Sequence, residues 1–136
     1  MKYEQILEEV KIRAQLDNLQ QAAEVSRAVL EALGERLFNN EADDLAAQLP
    51  EQLAQSLRGH QSRAFGLDEF LAMIAGKTDA SPDQAEHYAG TVIAVMKKFI
   101  SEGELHDVQA QLPKEFSRLF GVGPGEIRKP GLSGER

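Results

Sequence analysis

The chain contains no cysteine and no tryptophan, and only 6% of its 136 residues are aromatic. Without cysteine, the protein cannot form disulfides, thiolate nucleophiles, iron–sulfur clusters or cysteine-ligated zinc sites. Basic residues are also scarce, since 15 Lys and Arg stand against 22 Asp and Glu for a net charge of −7. This balance argues against a protein that neutralises the phosphates of duplex nucleic acid, and equally against one that docks on an anionic membrane.

Long apolar runs are missing as well. The longest spans only residues 91–96 and is followed by two lysines, whereas a membrane span needs about 20 consecutive apolar residues. The N-terminus is charged and has no apolar stretch of signal-peptide length. We therefore expect a soluble protein with, by default, a cytoplasmic location. Its length suits one domain that buries about two-thirds of the surface of the unfolded chain.

The sequence matches itself at an offset of 63 residues. The tetrapeptide AQLP at residues 47–50 recurs at residues 110–113, and apolar positions on either side stay in phase. An ungapped match of this extent predicts an internal repeat, with units at about residues 3–57 and 67–120. Identical pairs at this offset include Val29 with Val92, Glu41 with Glu104, and Asp44 with Asp107.

Both units have the pattern of helices. Apolar residues recur at i, i+3, i+4 and i+7 in residues 3–10 and 67–74, which is the stripe of a helix that faces a core. Strict alternation is absent, so strands have little support. We predict an all-α fold in residues 1–120, with about eight helices as two tandem four-helix pseudo-repeats that share one core. The predicted helices cover residues 3–15, 19–37, 41–48, 50–57, 67–77, 82–100, 104–111 and 113–120.

Several residues predict where these helices begin and join. Ser81 and Gln84, with Pro82 between them, have the spacing of a capping box. Asn40 and Gly103 are the expected N-caps of the third helix of each unit. Each AQLP predicts a helix–corner–helix joint, because proline disfavours helix at the preceding residue and suits the first turn of the next helix. At these joints we expect buried leucines, Leu49 and Leu112, and glutamines that bond free backbone groups, Gln48 and Gln111.

Two segments fall outside the helices. Residues 58–66 are polar and end in glycine, which is typical of a connector between the units. Residues 121–136 contain five glycines and two prolines. We predict that they form a flexible C-terminal tail.

The three histidines do not have the spacing of a metal site. His60, His87 and His106 lack the Glu-x-x-His or His-x-x-x-His partners that converge on one helix face. The nearest case is His87 with Asp83, and this aspartate is explained by its place at a helix start. Polar neighbours of His87 also argue against a haem ligand. We therefore expect no metal and no cofactor.

Other catalytic and binding motifs fail in the same way. Residues 79–83 resemble the opening of a calcium loop, but the glycine and the final glutamate of that loop are missing. No serine lies in a Gly-x-Ser-x-Gly elbow, and residues 76–78 lack the first glycine of a phosphate loop. The adjacent acids Asp43 and Asp44 are explained as helix-start residues. We assign no catalytic, cofactor-binding or metal-binding residue, and the binding residues stay unknown.

Two longer segments of the sequence resemble a known family. Residues 28–37, AVLEALGERL, and residues 41–53, EADDLAAQLPEQL, resemble the bacterial domain of unknown function 2267 family. The weaker second copy at residues 111–116, QLPKEF, fits the same pattern, and the resemblance covers about residues 3–121. It implies an all-helical bacterial protein without an established activity, so no functional residue is carried over.

Two hypotheses for the function remain open. The first is a non-enzymatic helical module that binds a protein partner or self-associates, with Val25, Phe38 and Phe65 as apolar residues that the core does not require. The second is a small-molecule sensor or enzyme with a pocket between the two units. Convergent polar groups at the seam would favour the second, and continuous aliphatic packing the first. The first requires less, so we expect the protein not to be an enzyme.

Overall fold

The computed structural model describes residues 2–121, and this part of the chain is all-α, as predicted. Eight α-helices and one 3-10 turn follow one another without a strand in the described range. None of these helices combines the length and apolar character of a membrane span. Apart from Gly121, the predicted tail lies outside the described residues. The helices are α1 (Lys2–Ala14), α2 (Leu19–Arg36), α3 (Asn39–Ala46), α4 (Glu51–Leu57), α5 (Leu67–Thr78), α6 (Pro82–Met96), α7 (Glu102–Ala110) and α8 (Ser117–Phe120).

The start of α6 confirms the predicted capping box. The Ser81 hydroxyl accepts from the Gln84 N–H at 3.1 Å, and the Gln84 side chain accepts from the Ser81 N–H at 3.1 Å. At the start of α2, the Asn18 side chain accepts from the Gln21 N–H at 2.9 Å. These bonds satisfy N–H groups that the first turn of a helix leaves without partners.

The predicted caps of α3 and α7 are wrong. Both lie two residues too late, because the observed N-caps are Phe38 rather than Asn40 and Ser101 rather than Gly103. The Ser101 hydroxyl accepts from a backbone N–H in the first turn of α7, which the glycine cannot do. Phe38 makes no side-chain cap at all, and α3 therefore begins without the local signal that sequence reasoning looks for.

Two predicted helices also end differently. The helix predicted to reach residue 100 ends at Met96, and i+3 bonds from the N–H groups of Lys98 and Phe99 tighten the chain beyond it. The helix predicted over residues 113–120 is a 3-10 turn, Lys114–Phe116, followed by α8. The Lys97 ammonium donates to the carbonyl oxygen of Phe120 at 3.1 Å and so ties these two irregular ends together.

One cluster of buried apolar side chains runs through both halves of the molecule. Helix α2 contacts α1, α4, α5 and α6, while α6 contacts α1, α5 and α8. Within this cluster, the rings of Phe70 and Phe116 meet edge to face with centroids 5.2 Å apart, an arrangement that aromatic pairs prefer. Leu49 and Leu112 are buried at the two corners, as predicted. Removing this apolar surface from water is the main stabilising contribution to the fold.

Of the three apolar residues that the sequence left without a clear place, two are buried. Val25 and Phe65 both belong to the buried core cluster. The guanidinium of Arg36 lies 5.9 Å from the Phe65 ring, and that of Arg63 lies 4.7 Å from it. Of these three residues, only Phe38 is exposed.

Contacts between the halves come in corresponding pairs. Helix α1 packs on α6 while α5 packs on α2, and α3 meets α7. These contacts are the ones expected of two units related by an approximate two-fold axis. The duplication and the single-domain boundary remain predictions.

Candidate functional site

The N-terminal halves of α3 and α7 bring three carboxylates together. Ligand oxygens of Glu41, Asp44 and Glu104 all lie within 4.8 Å of one another. Each glutamate is the third residue of its helix, where the helix dipole favours a negative charge. Because α3 begins at Asn39, Asp43 and Asp44 lie beyond its first turn. Of the acids in this helix, only Glu41 is therefore explained as a helix-start residue. We call Glu41, Asp44 and Glu104 the carboxylate contact.

Burial sets this contact apart from ordinary surface acids. Glu41 is 5% exposed and Glu104 is 8% exposed, whereas Asp44 faces solvent. The Oε2 atoms of both glutamates are buried without a hydrogen-bond partner. Among residues 2–121, no lysine or arginine forms an ion pair with any of the three acids. An uncompensated buried charge is strongly destabilising, so the contact needs a positive charge or a proton.

The electrostatics agree with this conclusion. Burial raises the pKa of Glu104 from its ordinary 4.5 to about 8, helped by the hydrogen bond with Glu41. The negative charges of Glu41, Asp44 and Asp107 raise the pKa further. A pKa raised this far favours the protonated form of the Glu104 carboxyl at neutral pH.

Two glutamines frame the contact from opposite halves. The Gln48 Oε1 atom accepts from the Ser101 N–H at 2.7 Å, and the Gln111 Oε1 atom accepts from the Phe38 N–H at 3.0 Å. The sequence predicted that these glutamines bond free backbone groups near their own corners. Their partners instead lie across the molecule, at the N-cap of the third helix of the other unit. The two glutamines stand 63 positions apart, as do the two N-cap residues.

An exposed acidic surface borders the contact. It is formed by exposed acids of α3 and α7 together with Phe38, the N-cap residue of α3, which is 63% exposed. None of its four acids forms an ion pair within the described part of the chain. We call this surface the acidic edge; it consists of Phe38, Asp43, Asp44, Glu102 and Asp107.

The histidines are not brought together. His60 is half-buried with its Nε2 atom 2.7 Å from the Ser56 carbonyl oxygen, and His87 and His106 are exposed. In residues 2–121, the carboxylate contact is the one group of three or more metal-ligating side chains. Sequence reasoning missed it, although the 63-residue offset that pairs its two glutamates was a usable signal.

An open groove lies between the first corner and the end of α6. Its volume is about 600 Å³, and Gln48, Pro50, Lys98 and Phe99 are among the residues that line it. Lys98 also forms an ion pair with Glu9 across the two halves. The groove therefore presents the ring of Phe99 and the ammonium groups of Lys2 and Lys98 at the boundary between the two halves.

The model of a protein family matches most of this chain. The family is described as "Uncharacterized conserved protein (DUF2267)", and its model matches residues 3–119. The chain therefore belongs to this family, as the resemblance at residues 28–53 indicated. No curated protein matches the sequence.

Proposed function

We propose that this member of the DUF2267 family is a non-enzymatic helical module that binds a protein partner through the acidic edge. The observation that carries the proposal is the 63% exposure of Phe38, which shares the acidic edge with four acids that form no ion pair within residues 2–121. A large aromatic side chain on the surface is a typical anchor of a protein interface. The surrounding charges would then set which partner is accepted.

The chemistry of the acidic edge selects one kind of partner. A segment rich in lysine and arginine, with an apolar recess for the phenylalanine, complements both of its features. Self-association through the same surface is less favourable, because two copies would place like charges opposite each other and each chain carries a net charge of −7. We therefore place the binding surface on Phe38 and its acidic neighbours and the positive charge on a different protein.

Packing between the halves also supports a binding role rather than a catalytic one. Where α2 meets α5 and α1 meets α6, the interior belongs to one continuous apolar cluster. At these helix contacts the packing is continuous, so in the described part of the chain no substrate could be enclosed between α2 and α5 or between α1 and α6. This packing instead provides a rigid frame for surface residues.

Site-specific crosslinking tests the proposal. Phe38 is replaced in the full chain by p-benzoylphenylalanine, and the matched control replaces Ile12, which is 68% exposed on α1 beside Lys11 and Arg13. We expect crosslinks to a second protein from position 38 and not from position 12. The crosslinked peptide should be basic, and its yield in cell extract should fall as salt screens the attraction.

The charges of the acidic edge provide the second arm of the test. The double substitution Asp43→Asn and Asp44→Asn should reduce the yield from position 38 several-fold. Equal crosslinking from both positions would contradict the proposal, as would a peptide without basic residues. A crosslinked dimer of this chain would mean that the surface binds a second copy of the chain and not a different protein.

The alternative is a small-molecule sensor or enzyme with its pocket between the halves, and the groove beside Gln48 and Lys98 favours it. Its cationic lining suits an anionic ligand. Thermal unfolding with a set of small carboxylates and phosphates separates the two functions. A saturable rise in melting temperature that Lys98→Ala removes, while crosslinking from position 38 is absent, would favour the sensor.

A further inference from the structure

We infer that the carboxylate contact binds a hard divalent cation of the Ca²⁺, Mg²⁺ and Mn²⁺ class, with Glu41, Glu104 and Asp44 as ligands. The site shares Asp44 with the acidic edge, but the inference does not depend on the proposed partner-binding role. It also departs from the expectation, drawn from the spacing of the histidines, that no metal binds. Two independent observations carry the inference: the convergence of carboxylate oxygens from three acids, and the burial of the Glu41 and Glu104 Oε2 atoms without partners.

The spacing of the oxygens fits one ion. Hard cations hold oxygen ligands at about 2.0–2.6 Å, so oxygens on opposite sides of the ion lie about 4–5 Å apart. Oxygens of the three acids lie within 4.8 Å of one another, and two helices supply them. No nitrogen or sulfur ligand belongs to the group, which favours hard cations over zinc and copper.

The buried oxygens call for a ligand. Glu41 and Glu104 are both more than nine-tenths buried, and the Oε2 atom of each has no hydrogen-bond donor. Buried polar atoms without a partner are rare in folded proteins and need an explanation. No basic side chain of the described chain forms an ion pair with them. A divalent cation would supply both the missing contacts and the missing positive charge.

The exposed side of the contact provides access. Asp44 faces solvent, so an ion can enter from that side and water can complete its coordination shell. Calcium tolerates such irregular shells better than magnesium, which keeps several waters in a strict octahedron. Because Glu41 and Glu104 belong to different halves, the ion would crosslink α3 to α7 and stabilise the fold in proportion to its concentration.

A proton is the rival occupant of the same place. A cation has to displace any proton that these carboxylates share before it can bind. Ligands must be deprotonated for a metal, so binding would release protons and tighten as pH rises. The experiment must therefore distinguish a site filled by a cation from a site filled only by the proton.

Calorimetric titration of the full-length protein tests the inference. The protein is first treated with a chelator and dialysed, and CaCl₂ is then titrated at pH 8.5, followed by separate titrations with MgCl₂ and MnCl₂. We expect saturable binding of one ion per chain below about 1 mM. Glu104→Gln and Glu41→Gln should each weaken binding at least about tenfold, since each removes a charged ligand.

A matched control removes an equal charge outside the contact. Asp43→Asn lies on the same helix as Glu41 but outside the group, so it should change the affinity less than about twofold. Circular dichroism checks that each variant is folded, and Ca²⁺ should raise the melting temperature of the wild type but not of Glu104→Gln. Equal weakening by Asp43→Asn and Glu104→Gln would mean a diffuse counterion cloud and would overturn the inference. The same holds if no saturable binding occurs up to about 10 mM, because the proton alone would then occupy the site.

Discussion

The halves of this molecule meet through two very different contacts. Where α2 packs on α5 and α1 packs on α6, buried apolar side chains form one cluster. Where α3 meets α7, buried carboxylates face each other. Apolar burial is non-directional and does not change with pH, whereas the stability of paired acids depends on protons and ions. The first contact therefore holds the fold together, and we expect the second to make the stability of the fold depend on pH and ions.

The largest effect should come from a substitution in the apolar contact. Phe70 on α5 is fully buried and its ring packs on Phe116. We expect Phe70→Ala to lower the free energy of unfolding by about 3–5 kcal/mol, because it leaves a cavity in a packed core. Urea unfolding at pH 5 and pH 8 should give the same loss, since no titratable group is removed. A loss below about 1 kcal/mol, or one that changes with pH, would contradict the proposed difference between the two contacts.

Close packing of α2 on α4 gives the next largest effect. A Cβ atom on Gly34 would lie 2.6 Å from the Leu57 carbonyl oxygen and 2.6 Å from the Cδ2 atom of His60. Because the backbone oxygen belongs to a neighbouring helix and cannot give way cheaply, Gly34→Ala should cost about 1–3 kcal/mol. Gly90 in α6 is the control, since a Cβ there meets nothing within 4 Å. Gly90→Ala should be neutral or stabilise by up to about 1 kcal/mol, and equal losses at both positions would contradict this account.

A substitution in the carboxylate contact should have the opposite sign. With the chelator present, Glu104→Gln should raise the free energy of unfolding by roughly 1–3 kcal/mol at pH 8, because it removes an acid whose pKa is raised in the folded state. The groups that face it are Glu41, Asp44 and Asp107, all negative when ionised. Below pH 4.5 both the folded and the unfolded wild type keep the proton, and the stability that depends on it is fully present. That stability is lost as pH rises from 4.5 towards about 8, since only the folded chain then holds the proton.

Unfolding curves between pH 4 and pH 9 measure this difference. The wild type should lose stability as pH rises from 4.5 towards about 8, and Glu104→Gln should lose much less over the same range. Glu102→Gln is the control, because this acid is exposed in the first turn of the same helix. If the two variants follow the same pH profile, the folded state does not bind the extra proton at Glu104.

What the sequence predicts well is what a single segment determines. The all-α class and the capping box at Ser81 depend on residues that lie within a few positions of one another. The burial of Leu49 and Leu112 follows from apolar residues at proline corners. Periodicity and capping chemistry act locally, so one sequence is sufficient to recognise them.

What the sequence predicts poorly depends on distant segments. The predicted start of α3 is wrong because the Phe38 N–H donates its hydrogen bond to the Gln111 side chain, which belongs to the other half. The carboxylate contact was missed for the same reason, since Glu41 and Glu104 look like two ordinary helix-start acids until α3 and α7 are packed together. The 63-residue offset pairs these glutamates, but an offset alone gives no distance.

The smallest effect should come from the hydrogen bonds that frame the carboxylate contact. Gln111→Ala removes the acceptor of the Phe38 N–H, and we expect a loss of about 0.5–1.5 kcal/mol. Gln109→Ala on the same helix is the control, because its side chain forms no hydrogen bond within residues 2–121; it should change stability by less than about 0.5 kcal/mol. Combining Gln111→Ala with Glu104→Gln should give a non-additive effect, since both act on the α3–α7 contact. Strict additivity would mean that the glutamines cap their helices without holding the two acids together.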